Sequence, residues 1–273
     1  MSESREQFIQ YETEGAVALI TLDRPEARNA QHPPFLEQLD QAFRRAEADR
    51  EVKVILLKAN GPHFSAGHDI SRDAAGHFRS AIRNPKGVED HYEWEREHYL
   101  GLTRRWRDIP KPTIAAVHGA CIAGGLMLCW PCDLIIASED ARFSDPVLRM
   151  GIPGVEYHAH PWELGPRKAK ELLFTGRAID AREAWRLGMV NQVVPREELL
   201  KTALELAHEI ARMPAFALAM AKRAVNRSVD AQGQWNAMQA VFDLHHLGHS
   251  HAKLTSGDAI SGMDVEKMKR AGG

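Results

Sequence analysis

The sequence predicts an α/β fold that continues into a helical C-terminal part. Three observations predict it. Short β-branched and aliphatic runs recur in the first half, an amphipathic helical pattern lies between the first two runs, and the pattern after Pro166 is helical. The 273 residues contain no stretch rich in Pro, Gly or Ser that would separate two domains. We therefore expect one structural unit, with an α/β core over residues 1–195 and a helical region over residues 196–273.

The predicted elements of the core alternate between strands and helices. Residues 15–22, 52–59, 113–117 and 133–137 are short apolar runs bounded by turn residues, which is typical of buried strands. Between the first two strands, residues 33–50 place apolar side chains at helical spacing. The further elements, in chain order, are a mobile lid or insertion at 71–90, a helix at 91–107, a short buried helix at 124–130, a strand at 190–194 and helices at 195–212 and 214–228.

Composition and charge exclude several classes of protein. The chain has 35 basic and 37 acidic residues, and a net charge of −2 does not suit a nucleic-acid partner. No apolar run is long enough for a membrane span, and the polar N-terminus does not resemble a secretion signal. Cys129 and Cys132 have the spacing of half a zinc site, but no second pair completes four ligands. We therefore expect buried thiols, a cytoplasmic location, no membrane partner and no metal site.

Two loops that follow predicted strands could point backbone N–H groups at a ligand. Residues 119–125 have the glycine spacing of a phosphate loop but lack its Lys-Ser/Thr, and the chain contains no G-x-G-x-x-G. The glycine pair that begins at Gly124 suits a developing oxyanion at a helix N-terminus, or else close packing of that helix on a strand. The small residues 65–67, after the strand at 52–59, add a second set of N–H groups. Two such donors would form an oxyanion hole.

These loops belong to an ordered series of motifs. Asp-Arg-Pro-Glu-Ala-Arg-Asn-Ala begins at Asp23, Phe-Ser-Ala-Gly-His-Asp-Ile begins at Phe64, and Ala-Val-His-Gly at Ala116 precedes the glycine pair. Over residues 11–212 this order resembles the crotonase superfamily of enoyl-CoA hydratases and isomerases. Further motifs that carry the resemblance lie at 132–135, 141–143, 151–154, 172–176 and 188–190.

The resemblance implies a fold, a substrate and an assembly. The fold would be a crotonase-like ββα superhelix core with a C-terminal helical trimerisation region. The substrate would be an acyl-CoA or enoyl-CoA, with no cofactor beyond the coenzyme A that it carries. The partners would be copies of this chain, in a homotrimer or a dimer of trimers. The apolar helix faces that suit such an assembly carry Ala203, Leu206, Ile210, Phe216 and Met220.

The resemblance also implies the residues of the site. Ala66 and Gly124 are expected to hold the thioester oxygen through their N–H groups. Arg24 or Arg28 would bind phosphates of coenzyme A, because a guanidinium binds phosphate bidentately, although both arginines also suit a solvated surface. The expected substrate contacts are Arg24, Ala27, Arg28, Ser65, Gly67, His68, Asp69, Ile70, Met127, Val147 and Lys267.

Two positions depart from the family's pattern. Met127 and Val147 stand where typical hydratases carry glutamates, and neither side chain can activate water or exchange a proton. Glu156 is the predicted replacement acid, and burial beside an acyl channel would raise its pKa. The alternative for Glu156 is the cap of a helix that begins at Tyr157. Asp145 suits a turn before Pro146, with a reach into the pocket as the alternative. His68, His158 and His160 lie near the site loops and suit structural roles, with a role as base or hydrogen-bond donor as the alternative.

The function predicted from these features is double-bond isomerisation or hydration of an enoyl-CoA, with the thioester enolate stabilised in a backbone oxyanion hole. Isomerisation requires one base that removes and returns a proton, so a single carboxylate suffices for it. Two alternatives stand beside this prediction. The chain could bind acyl-CoA without turning it over, having lost both glutamates, or it could hydrolyse the thioester.

Overall fold

The computed structural model describes residues 6–71 and 88–257. Its strands are β1 (Ile9–Glu14), β2 (Val17–Leu22), β3 (Val54–Ala59), β4 (Thr113–Val117), β5 (Ala120–Ile122), β6 (Leu134–Ser138), β7 (Arg142–Ser144), β8 (Ile179–Asp180) and β9 (Gln192–Val194). Within the described residues, six strands form one sheet in the order β1-β2-β3-β4-β6-β9, and three short strands form a second sheet in the order β5-β7-β8.

The helices surround these sheets and extend beyond them at the C-terminal end. They are α1 (Pro33–Ala48), α2 (Glu89–Glu95), α3 (Leu102–Asp108), α4 (Leu126–Cys129), α5 (His160–Thr175), α6 (Ala181–Arg186), α7 (Leu199–Ala211), α8 (Ala215–Ala231) and α9 (Gln234–Ser256). A π-helical segment, Arg96–Gly101, joins α2 to α3 without a break. Short 3-10 turns occur at Pro25–Ala27, Ala123–Gly125, Val147–Met150 and Arg196–Glu198.

The large sheet is buried on both faces, which explains why its central strands are continuous apolar runs. Strands β2, β3, β4, β6 and β9 are parallel, and β1 pairs antiparallel with β2 at the edge. Every residue of β2 is buried. Parallel strands need helices on both faces, so both sets of alternating side chains must be apolar. Ile20 and Ile55 face the main core, whereas Leu19 and Leu56 face a second core.

The second core is the contact between the sheet and α7. Leu199, Ala203 and Ala207 of α7 pack against the outward face of the sheet. Leu206 and Ile210 are half-buried against the same cluster. The apolar face of α7 is therefore covered by the chain's own sheet, and this helix belongs to the α/β layers as well as to the C-terminal region.

Most of the predicted elements are present. The four strands predicted between residues 15 and 137 are β2, β3, β4 and β6, and the predicted helix at 91–107 is the continuous segment from α2 to α3. The predicted helix start at Tyr157 is wrong. Helix α5 begins at His160, with Pro161 in its first turn. The expected lid at 71–90 lies outside the described residues apart from its ends, and so does Lys267.

A charged network on Asp40 fastens α1 to α3. The Asp40 carboxylate accepts hydrogen bonds from Arg44 Nε at 2.8 Å, Arg105 Nε at 3.0 Å and Trp106 Nε1 at 3.1 Å. Burial raises the pKa of Asp40, but the hydrogen bonds from Arg105, Arg44 and Trp106 outweigh it, so the pKa lies below its usual value. The charged form of Asp40 therefore stabilises the folded state.

We expect Asp40→Asn to lower the free energy of unfolding by about 1–3 kcal/mol, because it weakens charge-assisted bonds to buried Trp106, half-buried Arg105 and exposed Arg44. The lowered pKa means that this contribution is present above the unfolded pKa of about 3.9 and is lost as the pH falls through the folded value. Urea unfolding at pH 7 and near pH 3 measures both effects. Exposed Glu47 of α1 provides the control variant, Glu47→Gln. Equal stability of the parent and Asp40→Asn at pH 7 would contradict the assignment.

Candidate active site

The turn at residues 24–29 and the loop at residues 60–70 form one hydrogen-bonded unit. Asn29 is buried, and its amide nitrogen donates to the carbonyl oxygens of Asn60 at 2.9 Å and His63 at 3.0 Å. The Ser65 hydroxyl donates to the Asn29 carbonyl oxygen at 2.8 Å. Arg28 and Asn29 have the left-handed values φ 55° and φ 52°, which non-glycine residues adopt rarely. Ser65 therefore supports the loop from within the core.

The expectation for the Ala66 N–H is wrong. This group donates to the Arg28 carbonyl oxygen at 2.9 Å, so it is not available to a thioester oxygen. On either side of His68, the Gly67 carbonyl accepts from Gln31 N–H and the Asp69 N–H donates to the Gln31 carbonyl, both at 2.8 Å. The N–H of His68 between them has no acceptor among the described residues. His68, two residues after Ala66, carries the available N–H of this loop.

Gly124 lies directly against this loop. The Ile122 N–H donates to the Ser65 carbonyl at 3.0 Å, and a Cβ on Gly67 would lie 3.1 Å from the Gly124 nitrogen. Gly124 sits in the 3-10 turn that leads into α4, where the first N–H groups have no partner within the helix. A Cβ on Gly124 would lie 2.8–3.0 Å from three atoms of the His68 ring. The glycine is thus required for the close packing of this turn on the His68 ring.

Glu156 is a buried carboxylate between two histidines. Its Oε2 lies 3.2 Å from His68 Nε2, and its Oε1 lies 3.6 Å from His245 Nε2. Burial raises the pKa of Glu156, but the charges of His68 and His245 outweigh burial and hold this pKa below its usual value. The sequence predicted a raised pKa for Glu156. That direction is wrong, because His68 and His245 face the carboxylate.

The capping alternative for Glu156 is also wrong. Helix α5 begins four residues later, at His160, and the Glu156 side chain faces His68 and His245 instead of helical N–H groups. The His68 ring completes the contact by stacking on Tyr99, with ring centroids 3.9 Å apart.

Asp145, His158 and His160 form a separate structural group. Asp145 is fully buried, and its Oδ2 lies 2.8 Å from His160 Nε2 and accepts from the Val155 N–H at 3.0 Å. Burial, followed by the charge of His160, lowers the pKa of His158 to about 3, so this ring is neutral at pH 7. These contacts fix the backbone beside Glu156, in agreement with the structural roles considered for Asp145, His158 and His160.

The other expected contact residues differ in how far they are exposed. Arg24 forms an ion pair with Asp69, in which the Nη1 and Oδ2 atoms are 2.6 Å apart. Arg28 is exposed. Burial raises the pKa of Asp69, but hydrogen bonds from Ser71 and Arg24 hold it below its usual value. Ala27 is half-buried and Ile70 is exposed beside this turn. Met127 is buried in the main core, and half-buried Val147 packs against the same core.

A second group of ionisable residues, which no sequence motif predicted, lies beside Glu156. We call Glu95, His91, His245, His246 and His249 the buried histidine cluster. Glu95 lies 3.1 Å from both His91 Nε2 and His246 Nε2. His245, His246 and His249 lie on α9, at a spacing of i, i+1 and i+4 that places them on the buried side of the helix. That spacing is visible in the sequence, but its partner Glu95 is distant along the chain.

The carboxylates of Glu95 and of neighbouring Glu156 dominate the electrostatics of the buried histidine cluster. Burial lowers the pKa of His245, but the charges of Glu156 and Glu95 outweigh it and raise this pKa to about 9. Burial likewise raises the pKa of Glu95, yet the facing histidines hold it well below its usual value. Helix α9 is therefore tied to the site by charge as well as by packing.

None of the helices within residues 6–71 and 88–257 combines the length and the apolar character that a membrane crossing requires.

Known proteins match both the sequence and the fold. The family model for enoyl-CoA hydratase/isomerase matches residues 12–270. EchA13 of Mycobacterium tuberculosis, which is named as an enoyl-CoA hydratase, is 46% identical over 95% of this chain and 86% of its own length. The short-chain-enoyl-CoA hydratase of Clostridium acetobutylicum is 36% identical over 96% of this chain and 95% of its own. A crystal structure described as a probable enoyl-CoA hydratase from Mycobacterium smegmatis matches with a TM-score of 0.87 and 57% identity, covering 93% of this chain and 98% of that one.

The chain belongs to the enoyl-CoA hydratase/isomerase family. The crotonase resemblance is confirmed, and with it the α/β crotonase fold with C-terminal helices.

Proposed function

We propose that the chain is an acyl-CoA enzyme that isomerises or hydrates the double bond of an enoyl-CoA. One observation carries the proposal. The Glu156 carboxylate lies 3.2 Å from the ring of His68, and that ring packs on Gly124 beside two backbone N–H groups. A negative carboxylate and a pair of hydrogen-bond donors are the two parts that enolate chemistry requires. The hydratase names of its relatives are consistent with this reaction class.

The oxyanion hole of this proposal consists of the N–H groups of His68 and Gly124. When a proton leaves the carbon next to a thioester, the electron pair moves onto the carbonyl oxygen. Donors that are already oriented stabilise this charge without reorganising during the reaction. The tight packing of His68 on Gly124 supports the role, because neither donor can turn away without moving the other loop.

The proton transfer of this proposal belongs to Glu156. As a carboxylate it takes the α-proton of the substrate, and as a carboxylic acid it returns that proton at the γ-carbon, which moves the double bond. Hydration would add water across the double bond with Glu156 and His68 as the available proton carriers. The apolar Met127 and Val147 offer no proton acceptor, so the reaction depends on Glu156.

The coenzyme A portion is proposed to lie along the turn at 27–29 and the loop at 65–70. Exposed Arg28 is the stronger of the two arginine candidates for its phosphates, since Arg24 is paired with Asp69. Ser65, Gly67 and Asp69 shape the loop, and exposed Ile70 lies at its end.

The proposed assembly is a homotrimer or a dimer of trimers, with the acyl-CoA site in residues 1–195 and the contacts in residues 196–273. The chain's own sheet covers Ala203, Leu206 and Ile210, so these residues do not support the assembly. The support comes from α8 and α9, where Phe216 is 76% and Leu254 is 86% exposed. Exposed apolar side chains of this size are typical of subunit contacts.

We expect light scattering at micromolar concentration to give a mass of three or six chains of 30.6 kDa. Phe216→Glu should lower that mass, because it places a charge in the proposed contact. A monomeric parent protein would refute the assembly.

We expect Glu156→Gln to lower turnover by roughly 10²–10⁴-fold, the usual contribution of a general acid or base. Affinity for acyl-CoA should change little, because the backbone donors and the turn at 27–29 are untouched. The measurement is exchange of the substrate α-proton into deuterated water, followed by mass spectrometry. Glu171→Gln, at an exposed position of α5, is the control.

A broad panel of enoyl-CoA substrates decides between the proposed reaction and its alternatives. Release of free coenzyme A would identify a thioester hydrolase. Binding of acyl-CoA without turnover of any substrate would identify a non-catalytic binder. Exchange at the parent rate in Glu156→Gln would remove Glu156 from the mechanism.

We expect Gly124→Pro to cost on the order of 10²–10³ in rate, because it removes one donor of the oxyanion hole. Gly124→Ala is the matched variant, since it keeps the N–H and adds only a Cβ that the His68 ring must accommodate. Steady-state rates and circular dichroism spectra of both variants separate the donor from the packing. A folded Gly124→Pro enzyme that keeps the parent rate would rule out the Gly124 donor.

A further inference from the structure

Three atoms of the buried histidine cluster converge on one point between α2 and α9. His245 Nε2 lies 2.8 Å from His249 Nε2 and 3.5 Å from Glu95 Oε2. The distance from Glu95 Oε2 to His249 Nε2 is 3.7 Å. All three side chains are buried. We propose that Glu95, His245 and His249 bind a divalent ion of a first-row transition metal, with Zn²⁺ as the representative.

The spacing of the three atoms suits such an ion. Zinc binds histidine nitrogen and carboxylate oxygen at about 2.0–2.2 Å in tetrahedral geometry. Two ligands of a tetrahedron with such bonds are about 3.3–3.5 Å apart. The observed separations of 2.8, 3.5 and 3.7 Å lie on both sides of this value. Small side-chain rotations would bring all three atoms to bonding distance.

The ring orientation of His245 suits a ligand. Its Nδ1 donates to the Gly154 carbonyl oxygen at 2.8 Å, because a carbonyl can only accept. Binding of a metal would displace the Nε2 proton of His245, and this bond would keep the remaining proton on Nδ1 and leave the Nε2 lone pair facing the cluster. Histidine ligands of metals commonly donate their other ring nitrogen to a backbone carbonyl in this way.

Glu95 shows the same arrangement of inner and outer contacts. Its Oε1 lies 3.1 Å from His91 Nε2, an outer partner that orients the carboxylate. Its Oε2 is buried and has no aligned hydrogen bond among the described residues, although His246 Nε2 lies 3.1 Å away. A buried carboxylate oxygen without a hydrogen bond is rare, and an ion is one of its ordinary explanations.

A proton is a weaker explanation than a metal ion. One proton between His245 and His249 would satisfy those two nitrogens and leave the Glu95 oxygen with nearby histidine rings but no aligned hydrogen bond among the described residues. A divalent ion would satisfy all three atoms at once. It would also offset the two carboxylates, Glu95 and Glu156, that are buried together here.

The donor set indicates which metals fit. Two imidazoles and one carboxylate suit Zn²⁺ or Fe²⁺, whereas Mg²⁺ and Ca²⁺ prefer oxygen ligands. His245 and His249 are four residues apart on α9, so one helix face supplies both nitrogens. The remaining coordination positions are free for water or another small ligand. The site does not depend on the proposed enzyme activity.

The test uses the full chain without a histidine tag, treated with a chelator and then titrated with Zn²⁺. We expect one ion per chain, measured by calorimetry and by elemental analysis after dialysis. Parallel titrations with Fe²⁺ under anaerobic conditions and with Mg²⁺ should give binding for Fe²⁺ and none for Mg²⁺. Zinc at less than one ion per four chains after dialysis at equimolar metal would overturn the proposal.

Two ligand variants and one control locate the ion. His249→Gln and Glu95→Gln should each weaken Zn²⁺ binding on the order of 10²-fold or more, since losing even an outer partner of a metal costs 10–100-fold. His251→Gln changes an exposed histidine on the same helix and should bind as the parent does. Parent-like affinity in His249→Gln would place the ion elsewhere and overturn the assignment.

If the ligand variants fail to fold, anomalous diffraction at the zinc edge from crystals of the parent protein decides the question. A peak between Glu95, His245 and His249 supports the site, and a map without that peak refutes it.

Discussion

The close approach of two backbone loops is the constraint on which the site depends. The loop that contains Ser65 and the segment that begins at Ile122 are joined by a hydrogen bond of 3.0 Å. A Cβ on Gly125 would lie 2.8 Å from the Ser65 carbonyl oxygen, so the approach leaves no room for a side chain there. The cost is visible in the left-handed φ of 48° at Ala123, a conformation that costs about 1–3 kcal/mol. The hydrogen bonds of Asn29 and the packing of the core offset that cost.

Charge neutralisation links this constraint to the C-terminal helix. Glu95 and Glu156 are both buried, and an unpaired buried charge would cost several kcal/mol. Their partners come from the loop at His68 and from α9 at His245. The C-terminal helix is therefore part of the electrostatics of the site, although no residue of it belongs to the motifs in the first half of the chain.

The sequence predicted what depends on local pattern. Residues 113–117 match β4 at both ends, because a strand buried on both faces is a continuous apolar run. The close packing at Gly124 and Gly125 was predictable as well, because a glycine pair after a strand is a local signal. The Ala66 prediction failed because its N–H is occupied by the carbonyl of Arg28, a contact between distant segments. The pKa of Glu156 was predicted in the wrong direction for the same reason, since its neighbours are His68 and His245. Tertiary contacts of this kind have no local pattern.

The π-helical segment Arg96–Gly101 sets the angular relation between the two ends of its helix. A π-helical turn contains about one more residue than an α-helical turn, and each α-helical residue turns the chain by about 100°. Deleting one residue here would let α2 and α3 fuse into a regular helix and would rotate Glu95 by roughly that angle relative to Trp106. The α3 side would keep its place against α1, while Glu95 would turn away from α9. A chain without this extra residue would thus keep the fold and lose the acidic partner of the α9 histidines.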